Sequence, residues 1–161
     1  MNLGSHFGKY RKNGIIIDTN LMLLIAVGTF NLDRIGTFKR TLKYTPRDFA
    51  LMKGIMACFE RRVTTPGILT EVDNLARQMP TTDHEGMSAT INNLAAAFFE
   101  IHTPSVEIMK SKYYARLGLT DSAIIAAETK LLVVTDDFRL SSVLASSGRD
   151  VININHLRTF E

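Results

Sequence analysis

Cysteine is almost missing from this chain. Only Cys58 occurs in 161 residues, so no internal disulfide can form and no cysteine-rich zinc site can be built. In Met56-Ala57-Cys58-Phe59 the thiol reads as a core side chain, the common role of a lone cysteine. The four histidines, His6, His84, His102 and His156, lack close metal-ligand spacing and read as structural or surface residues. Long apolar runs are missing too. The longest near the start, residues 21–27, is far short of the ~20 residues a bilayer span requires. The basic start, with Lys9, Arg11 and Lys12, is not followed by an apolar stretch with a small-residue cleavage site. A cytoplasmic protein without a membrane partner is expected. No Ser–His or Cys–His dyad is evident, which removes the usual covalent nucleophiles. Charge of one sign is weak: 19 Lys and Arg against 16 Asp and Glu give +3, with a pI near 9.1. That balance permits a nucleic-acid partner without requiring one.

What remains is an ordinary globular composition, 45% hydrophobic and 22% charged, in one domain over residues 1–161 that is long enough for a proper core. Residues 1–13 are expected as a flexible N-terminal segment. Ile15-Ile16-Ile17 reads as a buried parallel strand. A helix over 21–27 follows, ending near Gly28, and then the basic stretch 38–44 as a loop. The spacing of Phe49, Met52, Ile55, Met56 and Phe59 predicts a helix over 46–60. Val63-Thr64 closes a second strand, and Thr65-Pro66 is a good helix start. Further helices are expected over 87–99, from Thr120 as N-cap over 121–130, and over 138–147 up to Gly148. Strands are expected over 131–135 and 150–154, with a weak one over 98–102 or 105–108. Strands alternating with helices imply an α/β parallel sheet covered on both faces.

Acidic residues recur where these elements begin or end. Asp18 closes the first strand, and Asp136-Asp137 follows Val133-Val134-Thr135. Glu71 and Asp121 fall in the opening turns of their helices. Carboxylates beside apolar runs are costly to desolvate unless they pair or bind a cation. In parallel sheets ligands bind at the carboxyl ends of the strands, so the placements agree on one edge. Each acid also has a plainer reading. Asp18 and the Asp136-Asp137 pair could cap turns and helices, and Asp121 suits a helix dipole. Glu85, Glu107, Glu128 and Asp150 lack strand-end context and read as surface residues. Lys39, Arg40 and Lys43, with Tyr44 beside them, could touch a phosphate backbone, although a solvated basic loop is the plainer reading.

Four segments in order carry a resemblance. Asp18-Thr19-Asn20, Thr65-Pro66 through Glu71, Gly118-Leu119-Thr120-Asp121-Ser122-Ala123, and Val134-Thr135-Asp136-Asp137-Phe138 are together similar to the PIN-domain ribonucleases, over nearly the whole chain. The resemblance implies a three-layer α/β/α fold with a five-stranded parallel sheet of order 3-2-1-4-5. It implies metal ligation by Asp18, Glu71 and Asp121. Asp137 is the fourth acid, by its Thr-x-Asp spacing, with Asp136 in reserve. Asn20 matches the residue that supports the first aspartate, and Thr135 is a polar neighbour.

The activity so implied is Mg²⁺- or Mn²⁺-dependent hydrolysis of single-stranded RNA, leaving a 5′-phosphate and a 3′-hydroxyl. Single-domain members resemble the toxins of toxin–antitoxin pairs, so an antitoxin or other inhibitory protein is an expected partner. The interval from Asp18 to Glu71 is longer than in the smallest toxins, and it holds the basic 38–43 stretch. A homodimer through residues 21–27 and 95–99 is a further expectation. The main alternative is an inactive PIN-like module that binds RNA or protein. A phosphate-accepting receiver-like domain ranks lower, because no acid pair stands near the first strand and no Lys follows the last.

Overall fold

Three consecutive isoleucines leave no polar side to face water. In the computed structural model, which describes residues 3–158, Ile15–Ile17 (β1) is buried throughout and lies at the centre of a sheet. Arg62–Thr64 (β2), Phe99–Glu100 (β3), Leu132–Thr135 (β4) and Val151–Asn153 (β5) complete it in the order β3-β2-β1-β4-β5. Every pairing is parallel, with Ile16 between Val63 and Val133. The expected three-layer arrangement is observed. Helices connect the strands and flank the sheet: Leu3–Tyr10 (α1), Thr19–Phe30 (α2), Pro46–Ala57 (α3), Pro66–Ala76 (α4), His84–Ala96 (α5), Ser105–Met109 (α6), Tyr114–Ala126 (α7) and Phe138–Ser146 (α8). Among the described residues no helix is long and apolar enough to cross a membrane. Met1, Asn2, residues 159–161 and the side chains of Leu3, Ser5 and His6 lie outside what is described.

Several boundaries differ from expectation. Helix α2 runs through Gly28 to Phe30. This glycine is not a stop: a Cβ there would overlap the Phe49 ring, so it lets α3 approach α2. Residues 21–28 are all buried in the monomer, which removes 21–27 as a dimer face. Cys58 is exposed rather than core. It caps the end of α3, and its Sγ–H donates to the Gly54 carbonyl at 3.3 Å. Residues 105–108 lie in a helix, and the third strand is 99–100 alone. Residues 3–10 are helical and docked, with Phe7 edge-on to Phe59 and the Tyr10 hydroxyl donating to Asp150 at 2.8 Å.

Two local features set up the site. Helix α7 begins at Tyr114, before the expected Thr120 cap, and is broken at Gly118 (φ 82°, ψ 179°), a conformation suited to glycine. Asp121 therefore falls in the first turn of the helical segment that resumes after the break. The 38–44 stretch is irregular, as expected, yet anchored. Phe38 and Tyr44 are buried, and the Thr41 hydroxyl donates to the carbonyls of Ile35 and Phe38 at 3.0 and 3.2 Å.

Candidate functional site

The chain leaves β1 toward β2 on one side, and β4 returns on the other. All strands being parallel, the carboxyl ends of β1 and β4 open at one edge, where such sheets form ligand crevices. Asp18 leaves β1 there, and Asp136 and Asp137 leave β4.

Asp18 and Asp136 form an inner, buried half. Asp18 is the N-cap of α2, accepting from Leu21 N–H at 2.9 Å. Its other oxygen accepts from the Thr135 hydroxyl and from Asp136 N–H at 3.1 Å. Asp136 accepts from Lys43 Nζ at 2.5 Å, the Tyr44 hydroxyl at 2.6 Å and Asn20 Nδ2 at 3.2 Å. Asn20 thus supports Asp136, not Asp18. The Lys43 side chain is 52% exposed while that of Asp136 is 3% exposed, so a surface ammonium reaches down to a buried carboxylate. Burial, and next the charge of Asp136, push the Asp18 carboxyl up to about 7. Burial, then the bond to Asp136, also raises the Tyr44 phenol, keeping it a donor.

Glu71, Asp121 and Asp137 form an outer, more open half. Glu71 is exposed in the second turn of α4, later than the first turn expected. Its oxygens accept from Thr120 Oγ1 at 2.5 Å and Thr19 Oγ1 at 3.0 Å. Thr120 therefore serves the acid rather than the helix. Asp137 caps α8 through Arg139 N–H at 2.5 Å and Leu140 N–H at 3.2 Å. Asp121 is half-buried and takes no hydrogen bond from the described residues. Burial, then Asp137, then Glu71 push its carboxyl up to about 6, with Arg139 opposing them.

Thr135 joins the two halves. Its hydroxyl donates to Asp18 and accepts from Asp137 N–H at 2.9 Å, so Asp18 fixes the start of the turn that presents Asp137.

An all-oxygen donor set of this kind suits a hard divalent cation such as Mg²⁺ or Mn²⁺. Asp137 and Glu71 act by charge on Asp121, against the partly offsetting Arg139. Among the described residues no three His, Cys, Asp or Glu are gathered closely enough to cage an ion; each carboxylate is turned to its own partner. The basic stretch does not act as one unit. Lys43 belongs to the inner half, Arg40 donates to Gln78 at 2.8 Å, and Lys39 lines a separate hollow with Arg34 and Met79. The Lys43–Tyr44–Asp136 set had no sequence signal beyond a basic, aromatic run between strands, because its partners are more than ninety residues apart. In comparisons with known proteins, no family model, curated protein or solved structure matches the chain.

Proposed function

We propose that the chain is a metal-dependent ribonuclease that hydrolyses single-stranded RNA with Mg²⁺ or Mn²⁺. The observation that carries this reading is that Asp18, Asp136 and Asp137 leave two adjacent parallel strands at the β1/β4 edge while Asp137 and Glu71 act by charge on Asp121, with Asp18 and Asp121 held well above the ordinary carboxylate range. Acids shifted in this way at the carboxyl edge of a parallel sheet are functional candidates. Glu71, Asp121 and Asp137 would hold the ion, while Asp18, whose oxygens accept from Leu21, Thr135 and Asp136, anchors the turn that presents Asp137. Bound there, the ion supplies a water of lowered pKa and neutralises charge on the phosphate. Thr19 and Thr120 orient Glu71, and Thr135 orients Asp137. Asp136 stays outside the set, because Lys43, Tyr44 and Asn20 already occupy it.

The test is incubation of purified protein with single-stranded RNA, in Mn²⁺ or in EDTA. Cleavage that needs Mn²⁺, leaves 5′-phosphates and falls at least a hundredfold in Asp121→Asn is expected. An Asp121→Asn variant as fast as the parent would sink the proposal. The absence of a ready-made cage among the described residues favours a second reading, a binding module without turnover. RNA binding with no cleavage in Mn²⁺ decides for it.

A further inference from the structure

Phe138 is a large apolar side chain left 65% exposed at the first position of α8, directly after Asp137. Other large apolar side chains are exposed, among them Phe99, Val106 and Met109, but none of these adjoins an acid of the edge in sequence. The Phe138 ring stands edge-on to His156, with centroids 5.7 Å apart and planes at 78°. The two rings line a groove of about 270 Å³ together with Ser142 and Ala145 of α8 and Val151 and Asn153 of β5. Its walls are mainly apolar. Of its polar groups, the Asn153 amide already donates to Ser141 Oγ at 3.0 Å, whereas Ser142 is exposed.

We propose that this groove is a nucleobase subsite, in which Phe138 stacks on a base of single-stranded RNA flanking the phosphate at the acid edge. The proposal rests on the ribonuclease reading. Three observations select a base over other occupants. The aromatic face is open and held in place, since Asp137 caps the helix turn that carries it. The groove lies beside the acid edge: Phe138 follows Asp137 directly, and Asn155, next to His156, donates to the Asp136 carbonyl at 2.8 Å. A cation lies on the side facing the outer acids. Arg139, the residue after Phe138, donates to the Arg116 carbonyl at 2.5 Å and acts electrostatically on Asp121, where a bridging phosphate would find it. An aromatic platform with a neighbouring cation and few hydrogen-bonding groups is how single strands are held with little sequence preference.

The experiment measures fluorescence anisotropy of a short labelled single-stranded RNA in EDTA. It compares the parent, Phe138→Ala and Phe138→Tyr, each also carrying Asp121→Asn to remove one repelling charge. Phe138→Ala is expected to weaken binding roughly tenfold, within the range for base–aromatic stacking, and Phe138→Tyr to bind as the parent does. An RNA with an abasic site should lose as much on the parent and little more on Phe138→Ala, the non-additivity of two partners in one contact. Thermal melting should show Phe138→Ala as stable as the parent, because the ring is exposed. No measurable RNA binding, unchanged affinity in Phe138→Ala, or fully additive losses would each overturn the subsite. An unchanged affinity would reassign the groove to a peptide strand pairing along the free edge of β5. Stacking without cleavage in Mn²⁺ leaves the subsite standing and removes the ribonuclease reading. Asp121-dependent cleavage with Phe138 indifferent does the reverse.

Discussion

Asp136 and Asp137 are neighbours in the chain, yet they belong to opposite halves of the acid edge. Asp136 faces inward and is met by an ammonium, a phenol and an amide. Asp137 faces outward, caps a helix and raises the pKa of Asp121. In the inner half, burial is matched by donors on both Asp18 and Asp136. In the outer half, Asp137 and Glu71 press their charge on the half-buried Asp121, with Arg139 opposing them. Carboxylates of the same type thus do different work. The inner ones fix the frame, and the outer ones hold charge that a cation would relieve.

The strongest way to break this contrast is to delete one acid from each half. Asp136→Ala orphans the buried Tyr44 hydroxyl and the Lys43 charge, and should cost about 3 kcal/mol, the lower end for breaking a buried pair because Lys43 is half exposed. Asp121→Ala removes a repelled charge and should leave the metal-free protein as stable as before, or more so. Urea unfolding of both variants decides it; equal losses would mean that the halves do not differ.

Next in size is the response to Mn²⁺. Binding to the native state alone should add about 2.7 kcal/mol at a hundredfold excess over Kd. Melting curves should show this gain in the parent and in Lys43→Met, each against its own baseline, and not in Asp121→Asn. A gain in Lys43→Met clearly larger than in the parent would place the ion in the inner half instead, because losing the ammonium frees Asp136.

The pH dependence sharpens the contrast further. The Asp18 carboxyl is raised from 3.8 to about 7, so the native chain holds that proton more tightly than the unfolded chain does. Stability from this source is present below pH 4 and is lost as pH rises toward 7. Without metal, the parent should fall relative to Asp18→Asn across that window, as read from melting temperatures at several pH values. Asp121 adds a change of the same sign up to about pH 6. A parent that gains on Asp18→Asn across the window would contradict the raised value.

The smallest effects belong to Lys39 and Arg40, which lie away from both halves. Alanine at either should change stability by less than about 0.5 kcal/mol and leave RNA cleavage within about twofold of the parent. A larger loss of cleavage in either variant would extend the site into the basic loop.

What could be read in the sequence was local. A β-branched run marks a buried strand wherever it falls, and Thr65-Pro66 marks a helix start by its own chemistry, so the parallel sheet and the edge bearing the acids were accessible, whereas the strand order was implied only by the family resemblance. The misreadings came from tertiary contacts. Gly28 looks like a helix stop until Phe49 is seen against it. Thr120 looks like a cap until Glu71 is found on its hydroxyl. Asn20 looks like a partner of Asp18, but β4 brings Asp136 to it instead. The choice between Asp136 and Asp137 depended on Lys43 and Tyr44 arriving from a segment whose path has no periodic pattern.

The position of β1 between β2 and β4 also governs when the acid edge can exist. The bonds from Asp18 to Thr135 and Asp136 join positions 117 and 118 residues apart. On a ribosome adding about 5–20 residues per second, Asp18 emerges several seconds before either partner. During that interval the nascent chain carries the first acid but cannot seat it, and β1 lacks its neighbour on one side. The edge therefore forms only once β4 has left the exit tunnel, and its late assembly is contained in the strand order itself.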